Sequence, residues 1–370
     1  MIKLEGLTKV FKGHNIPAVK DLNLEVNEGD VCVLVGPSGC GKTTTMKMIN
    51  RLYEPTGGKI YIRGEDALQM DPIKLRLDIG YVIQEIGLFP HMTIYENIAT
   101  VPNEKQWPKD QVKEKVDNVM SLVGLDPEIF KNRYPSALSG GQRQRVGVAR
   151  AMVSDPPIML MDEPFGAVDP ITRARLQNEF LRIQERVDKT IVFVTHDIDE
   201  AIKMSDTIAV MREGELVQHA TPSDLLSAPA DEFVSNLVGR NRSIKRLHLI
   251  RVSEILEEVD RAPALKEDTK EEEVKKRLDE SDIRTVIVVD RDNKLKGVIG
   301  VNDLKRKTGE VAGDYFQEVS DTVTDDATLN DALSVMLEIG EGYVAVVNED
   351  EKYQGTITLG DLLNVVREDS

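Results

Sequence analysis

The chain has 370 residues, 41% of them hydrophobic, and is therefore long enough for two or three domains that each have a core. Its formal charge of −17 argues against a nucleic-acid duplex as the main partner, because duplex binding depends on cations that meet phosphates. Two cysteines are too few for a disulfide framework, and no run approaches the roughly 18 apolar residues of a membrane-spanning helix. We expect a protein of a reducing cytoplasm, which would work at a membrane only as a peripheral subunit.

A glycine-rich segment follows the first apolar run of the N-terminal half. Val31–Val35 predicts a buried strand, and residues 36–43 (GPSGCGKT) lead from it into a helical pattern. In such a phosphate loop the glycines let backbone N–H groups surround a phosphate, and Lys42 would neutralise the outer phosphates. Thr43 would supply a hydroxyl to Mg²⁺. The predicted phosphate-binding residues are Gly36, Pro37, Ser38, Gly39, Cys40, Gly41, Lys42, Thr43 and Thr44.

Gln84 lies at the end of another predicted strand, in the stretch YVIQEIGLFPHMT. From there its side chain could reach Mg²⁺ or the attacking water. Taken alone, a glutamine at this place would mean almost nothing.

A second anion site is predicted at residues 138–145 (LSGGQRQR). A Ser-Gly-Gly turn that runs into a helix exposes N–H groups at the positive end of the helix dipole. One nucleotide does not need two such sites from one chain, so Ser139, Gly140, Gly141 and Gln142 are predicted to face an ATP held by a second copy in a head-to-tail homodimer. A simple helix cap is the alternative.

Two further apolar runs end in chemically active side chains. Residues 158–163 (IMLMDE) place Asp162 to hold Mg²⁺ and Glu163 to orient and deprotonate a water molecule. His196 follows the run Thr190–Val194 and could donate a hydrogen bond to a γ-phosphate. The alternatives are a solvated acidic turn and a packing histidine.

The order of these elements indicates an α/β fold. Apolar strands alternate with helical patterns at residues 111–123 and 172–187, which is typical of a parallel sheet built from crossover units. The strands are continuously apolar, as burial on both faces requires. We therefore expect the predicted catalytic residues to lie beyond the carboxyl ends of the strands.

The C-terminal third differs in composition and contains a repeat. Residues 245–370 hold 18 Lys and Arg against 30 Asp and Glu, whereas residues 1–244 hold 29 against 34. Residues 284–306 can be laid over residues 342–364, and a repeat of this kind indicates two copies of a small α/β unit.

Residues 1–240 resemble the ATP-binding cassette (ABC) family, through the phosphate loop, Gln84, the Ser-Gly-Gly turn, the acidic strand, the turn at Asp169 and His196. The resemblance implies a P-loop NTPase fold with a helical subdomain, and Phe11 matches the position whose ring stacks on adenine. The sequences of residues 36–52, 80–98 and 160–170 resemble those of importers of quaternary-amine osmoprotectants (glycine betaine, carnitine or choline). This likeness implies ATP and Mg²⁺ as cofactors, a transmembrane permease docked near residues 87–93, an extracellular substrate-binding protein, and a place on the cytoplasmic face of the membrane, with no nucleic-acid partner.

The repeat resembles a tandem pair of cystathionine-β-synthase (CBS) domains, which implies a linker at 241–248 and domains at 249–309 and 310–370. CBS pairs bind adenine nucleotides, and in osmolyte importers the resemblance points to cyclic di-AMP as an inhibitory messenger. Thr285, Tyr343, Thr358 and Asp361 are the predicted regulatory residues. Gly300 stands where the first copy would need a hydroxyl, so we expect one usable site in each chain or one formed across a dimer.

Three other interpretations stay open. The CBS pair could have a purely structural role in dimerisation. The cassette could belong to a soluble ATPase of DNA repair or translation, although such proteins usually carry two cassettes or an interrupting coiled coil. The main function could lie in the C-terminal part, as a nucleotide-sensing module whose signal the cassette merely reports.

Overall fold

The computed structural model describes residues 1–83, 87–166, 173, 177, 180–181, 184, 189–239, 241–256, 264–280, 285–319 and 321–367. Gln84, Asp169 and most of the helix predicted at 172–187 lie outside the described residues. The chain divides into two compact units, Met1–Arg240 and Asn241–Ser370. In the described parts of both units, no helix is long and apolar enough to cross a membrane.

The first unit is built from strands β1 to β10 and helices α1 to α10. The strands are β1 (Ile2–Lys9), β2 (Val19–Val26), β3 (Val31–Val35), β4 (Gly57–Ile62), β5 (Glu65–Asp66), β6 (Ile79–Val82), β7 (Ile158–Asp162), β8 (Thr190–Val194), β9 (Thr207–Arg212) and β10 (Glu215–Ala220). The described helices are α1 (Lys42–Ile49), α2 (Pro72–Leu77), α3 (Ile94–Ile98), α4 (Thr100–Glu104), α5 (Lys109–Leu122), α6 (Pro127–Phe130), α7 (Gly140–Met152), α8 (Ile198–Met204), α9 (Pro222–Ser227) and α10 (Glu232–Val238).

A six-stranded sheet positions the predicted catalytic residues. Its order is β10-β9-β3-β8-β7-β6, and the five strands from β9 to β6 run parallel. Every residue of β3, β7 and β8 is buried, which confirms the prediction made from their unbroken apolar runs. Because β3, β7 and β8 run parallel, the segments that follow them leave the sheet at one edge.

A second sheet, of order β2-β1-β4-β5, is antiparallel and was not predicted from the sequence. From Leu22 onward β2 buries alternate residues, namely Leu22, Leu24 and Val26. Such alternation is typical of a sheet with one face on the core and one in water. Leu22, Leu24 and Ile60 belong to the same core cluster as Leu34 of β3 and Leu160 of β7.

A helical region with its own core lies between β6 and β7. Ile94 of α3, Val112 and Val116 of α5, and Val146 of α7 are all buried in one cluster. Apolar residues spaced three or four apart put these side chains on one helix face. The predicted helix at 111–123 is thereby confirmed as α5, with ends shifted by one or two residues.

The second unit contains two three-stranded sheets of equal topology. Their orders are β11-β12-β13 and β14-β15-β16, each with one parallel and one antiparallel pair. The strands are β11 (Leu265–Lys266), β12 (Thr285–Val289), β13 (Leu295–Gly300), β14 (Thr322–Thr324), β15 (Tyr343–Val347) and β16 (Tyr353–Thr358). The described helices are α11 (Arg242–Arg246), α12 (Val252–Leu256), α13 (Glu271–Glu280), α14 (Val301–Arg306), α15 (Leu329–Ile339) and α16 (Leu359–Arg367). Ile287, Val289 and Ala345 form a buried cluster that joins the two sheets.

Candidate functional site

All three glycines of the phosphate loop, residues 36–43, adopt backbone conformations that side chains rarely permit, and two of them also lie against neighbouring backbone. Gly36 has φ 146°, and a Cβ atom there would lie 2.1 Å from the carbonyl oxygen of Met211 in β9. Gly41 has φ 106°, and its Cβ would lie 2.6 Å from the carbonyl oxygen of Ala18. The loop is therefore held close to the sheet at both ends, and only glycine fits at these two positions.

Lys42 begins α1 and turns its side chain back into the loop. It is only 6% exposed, and its Nζ donates to the carbonyl oxygens of Gly36 at 2.6 Å and Pro37 at 3.0 Å. Ser38 and Gly39, at the tip of the loop, are exposed, whereas Cys40 is buried and Thr44 half-buried. An ammonium group thus lies in a ring of backbone at a helix N-terminus, an arrangement that suits a phosphate chain.

Thr43 of α1 and Asp162 at the end of β7 contact each other at the carboxyl edge of the sheet. The Thr43 hydroxyl donates to Asp162 Oδ1 at 3.0 Å, and Asp162 is 4% exposed. Burial raises the pKa of the Asp162 carboxyl, while the hydrogen bond from Thr43 lowers it. A hydroxyl and a carboxylate side by side are the oxygen donors that Mg²⁺ prefers when substrate phosphates supply further ligands. The residues present therefore fit a magnesium ion.

Glu163 follows Asp162 and lies against the turn that carries His196. Glu163 has a left-handed φ of 45°, and its N–H donates to the carbonyl of Val194 at the end of β8 at 2.9 Å. His196 Nδ1 is 3.3 Å from Glu163 Oε1, and the His196 side chain is 61% exposed. A carboxylate and an imidazole at the same sheet edge can orient a water molecule and donate to a phosphate.

Ser139 is the N-cap of α7. Its hydroxyl accepts from Gln142 N at 3.3 Å, and Gln142 Oε1 accepts from Ser139 N at 3.0 Å. This reciprocal pair is a capping box. Ser139 and Gly140 are exposed, and Gly141 and Gln142 are half-buried. The capping alternative therefore describes this helix start, and a capped N-terminus still presents the positive end of its dipole to solvent.

Phe11 is half-buried beside Tyr53. Their ring centroids are 5.4 Å apart at an interplanar angle of 87°, and Lys9 Nζ lies 5.3 Å from the Phe11 centroid. Phe11 therefore already contacts an aromatic ring and a cation within its own chain.

Two of the predicted regulatory residues, Thr285 and Tyr343, begin a hairpin, whereas Thr358 ends the second hairpin and Asp361 lies in the helix that follows it. In the second copy, Asp361 Oδ2 accepts from Thr358 N and Thr358 Oγ1, both at 2.7 Å. Burial raises the pKa of the Tyr343 phenol, and a hydrogen bond with the Thr285 side chain lowers it. This hydrogen bond brings together residues from both copies. Thr285 and Tyr343 are the first residues of equivalent strands.

The first copy differs at the matching place. Asp303 is 6% exposed, its Oδ2 accepts from Gly300 N at 2.8 Å, and its Oδ1 accepts from Gln317 Nε2. Gln317 belongs to a segment that pairs with Val298 of β13. The carboxylate of the first copy is therefore occupied by a neighbouring amide, a contact that the sequence alone gave no means of predicting.

A phosphate loop after β3, an Asp-Glu pair after β7 and a histidine after β8 define a nucleotide-hydrolysing domain of the P-loop NTPase class. Comparison with known protein families agrees. The ABC transporter family matches residues 19–166, and the CBS domain family matches residues 252–310 and 313–368.

Curated relatives match along nearly the whole chain. The glycine betaine/carnitine/choline transport ATP-binding protein of Bacillus subtilis is 46% identical, over 99% of this chain and 96% of its own length. The osmoprotectant import ATP-binding protein of Salmonella typhimurium is 46% identical, over 97% and 94%. The chain therefore belongs to the ATP-binding subunits of ABC transporters, which hydrolyse ATP to drive transport.

Solved structures resemble the first unit. A dimeric ATP-binding cassette in a post-hydrolysis state with ADP and phosphate is 34% identical, with a TM-score of 0.55 over 60% of this chain and 99% of that one. A component of a transporter complex from Clostridium perfringens is 27% identical, with a TM-score of 0.57 over 67% and 98%.

Sequence reasoning missed a buried polar group next to His196. Glu200 is 7% exposed and accepts a hydrogen bond from Gln177 Nε2 at 2.9 Å. A glutamate in the first turn of a helix ordinarily faces solvent, so the sequence carried no signal that this one is buried.

Proposed function

We propose that ATP hydrolysis by this chain powers the import of a quaternary-amine osmoprotectant, such as glycine betaine, carnitine or choline, through a membrane permease. The observation that carries the proposal is the cluster of Thr43, Asp162, Glu163 and His196 at one sheet edge, beside the phosphate loop. The near full-length likeness to osmoprotectant subunits supports the substrate class.

In this proposal each residue has one task. Lys42 and the loop amides bind the phosphates, and Phe11 stacks on the base. Thr43, Asp162 and Gln84 hold Mg²⁺, which would neutralise phosphate charge when bound. Glu163 takes a proton from the attacking water, and His196 donates to the γ-phosphate. Gln84 and Asp169, which lie outside the described residues, are assigned by their positions in the sequence.

The working unit is a homodimer in which Ser139, Gly140, Gly141 and Gln142 of one copy face the γ-phosphate held by the other. The exposed, capped start of α7 supports this arrangement, because its N–H dipole is directed at solvent in a single chain. ATP binding closes the dimer, and hydrolysis lets it reopen.

Residues 1–240 are assigned to the ATPase, 241–248 to a linker, and 249–309 and 310–370 to the two CBS domains. The subunit would lie on the cytoplasmic face of the membrane and dock on the permease near residues 87–93. An extracellular substrate-binding protein would deliver the amine.

Uptake of labelled glycine betaine, carnitine and choline tests the substrate class. Cells that contain the chain and its permease should accumulate at least one of the three, and a Glu163→Gln chain, which keeps the fold, should abolish the uptake. Uptake of an unrelated substrate instead, with none of the three amines carried, would contradict the proposal.

We further propose that the CBS pair regulates the ATPase by binding an adenine nucleotide, with cyclic di-AMP as the first candidate. The adjacent positions of Thr285, Tyr343, Thr358 and Asp361 support one site per chain, since they offer a ring, hydroxyls and a carboxylate for a base and a ribose. The engaged Asp303 makes a second site in the first copy unfavourable.

A titration of the full-length ATPase with cyclic di-AMP and AMP tests the regulation. Thr358→Val should remove the response to the effective nucleotide. The matched control is Thr328→Val, because Thr328 and Asp331 form the same hydroxyl-carboxylate pair at the start of α15, away from the proposed site. If neither nucleotide binds or changes turnover, the CBS pair has only its structural role.

A further inference from the structure

The turn that carries His196, residues 195–197, is anchored on both sides of the histidine. Thr195 is 2% exposed, and its N–H donates to the carbonyl of Leu34 at the end of β3 at 3.2 Å. Asp197 N donates to Thr195 Oγ1 at 3.1 Å. His196 itself is exposed, so its position depends on these two neighbours more than on its own packing.

Glu200 lies under this turn, in the first turn of α8. Its carboxylate accepts from Gln177 Nε2 at 2.9 Å and is hydrogen-bonded by the Thr195 side chain. Asp197 caps the same helix, since its Oδ1 accepts from Asp199 N at 2.9 Å and from Glu200 N at 3.3 Å. Glu200 is therefore connected to the histidine turn through its side chain and through its backbone.

The central side chains of the network are buried, which is costly unless their burial serves a specific geometry. Glu200 and Gln177 are each 7% exposed. A buried carboxylate costs several kcal/mol unless hydrogen bonds satisfy it, and an apolar residue at the same place would avoid that cost. Buried polar networks whose groups are satisfied fix one arrangement of the elements that they join.

Gln177 connects the network to a second part of the chain. It lies in the stretch between Asp169 and β8, the part of the chain that leads away from the acidic strand. Through Glu200 this stretch is joined to the turn of His196, so the position of the histidine is set by two separate parts of the chain.

We propose that Glu200 is a positioning residue for ATP hydrolysis, which holds His196 against Glu163 through Thr195. Its hydrogen bond with Gln177 fixes the position of the turn that carries His196. Glu200 does not touch the nucleotide. Its removal should lower kcat and leave the KM for ATP nearly unchanged, because Lys42 and the phosphate loop are not part of the network.

Kinetics of the full-length chain test the proposal. Glu200→Ala should lower kcat by about 10²-fold, the scale of a misplaced catalytic group, with KM changed by less than about twofold. Glu200→Gln keeps an oxygen that accepts from Gln177 and should recover part of the loss. The control is Asp206→Asn, since Asp206 Oδ2 accepts from Val31 N at 2.8 Å at the opposite end of β3, and this variant should keep its kcat.

A second comparison separates positioning from general weakening of the fold. In a His196→Ala background, Glu200→Ala should cause no further loss of kcat, because the residue it positions is gone. Multiplied losses in the double variant, or a rise in KM in place of a fall in kcat, would overturn the proposal. If Glu200→Ala fails to fold, the same comparison is made with Glu200→Gln.

Discussion

Glu163 adopts a backbone conformation that costs a residue with a side chain roughly 1–3 kcal/mol. Its φ of 45° is maintained by the hydrogen bond to Val194 and by the contact with His196. Strained residues of this kind persist where the surrounding structure fixes them, and they cluster at sites of chemistry. The strain places the carboxylate beyond the end of β7, where a water molecule could be activated.

Replacement of Glu163 by glutamine should separate catalysis from stability. Glu163→Gln should lower ATP turnover by about 10²–10⁴-fold, the range of general base catalysis. The negative charge of Glu163 raises the pKa of Asp162, so its removal relieves a repulsion and should leave the free energy of unfolding equal or higher. Phosphate release and chemical denaturation measure the two effects. Unchanged hydrolysis would remove Glu163 from the role of base.

At the scale of elements, the phosphate loop is fixed by its fit to β9. Gly36 would meet the Met211 carbonyl with any side chain, whereas a Cβ at Gly39 meets nothing within 4 Å. The two glycines therefore differ in the reason for which they are needed. The first is required by close packing, and the second only by a φ of 81°.

Alanine substitutions at these glycines should have unequal effects on stability. Gly39→Ala should lower the free energy of unfolding by about 1–2 kcal/mol, the cost of a left-handed residue. Gly36→Ala should lower it by about 3 kcal/mol or more, since a backbone shift is added. Denaturation without nucleotide measures both, and equal losses would contradict the packing argument.

Helix α7 offers a substitution that keeps its N-cap and adds a negative charge there. Ser139→Asp retains an oxygen that caps the helix, whereas Ser139→Ala should cost about 1 kcal/mol of stability. We expect Ser139→Asp to keep its unfolding midpoint and to lose ATP-driven dimerisation, because a carboxylate repels a γ-phosphate. If Ser139→Asp still dimerises at the ATP concentration that dimerises the wild type, as measured by size-exclusion chromatography, then α7 does not face a phosphate.

The part of the fold that could be predicted from sequence is the part with continuous apolar strands. β3 and β8 coincide with the predicted runs because strands buried on both faces have no polar interruption. The antiparallel sheet of β1, β2, β4 and β5 was missed because its signal is alternation, which polar residues dilute. The hydrogen bonds between Thr195 and Glu200 and between Asp303 and Gln317 depend on tertiary packing, so no local sequence pattern predicts them.

For the whole molecule, the two units differ in charge and in internal repetition. The second is a duplicated pair in which one copy keeps the Thr358 hydroxyl next to its carboxylate and the other has Gly300 with Asp303 bonded to Gln317. Divergence of the first copy would confine the proposed regulatory site to the second. A regulator that binds there would act on an ATPase already dependent on dimer closure.

The central claim is that each ATP is held between Lys42 of one chain and Ser139 of its partner. Heterodimers isolated through two affinity tags, all in a Glu163→Gln background, test it by the amount of ATP retained. When one chain carries Lys42→Ala and the other Ser139→Asp, one site is left intact and the account predicts one ATP per dimer. When both substitutions are in the same chain, both sites are damaged and no ATP should be retained. The reverse result, with ATP retained only in the second heterodimer, would contradict the account.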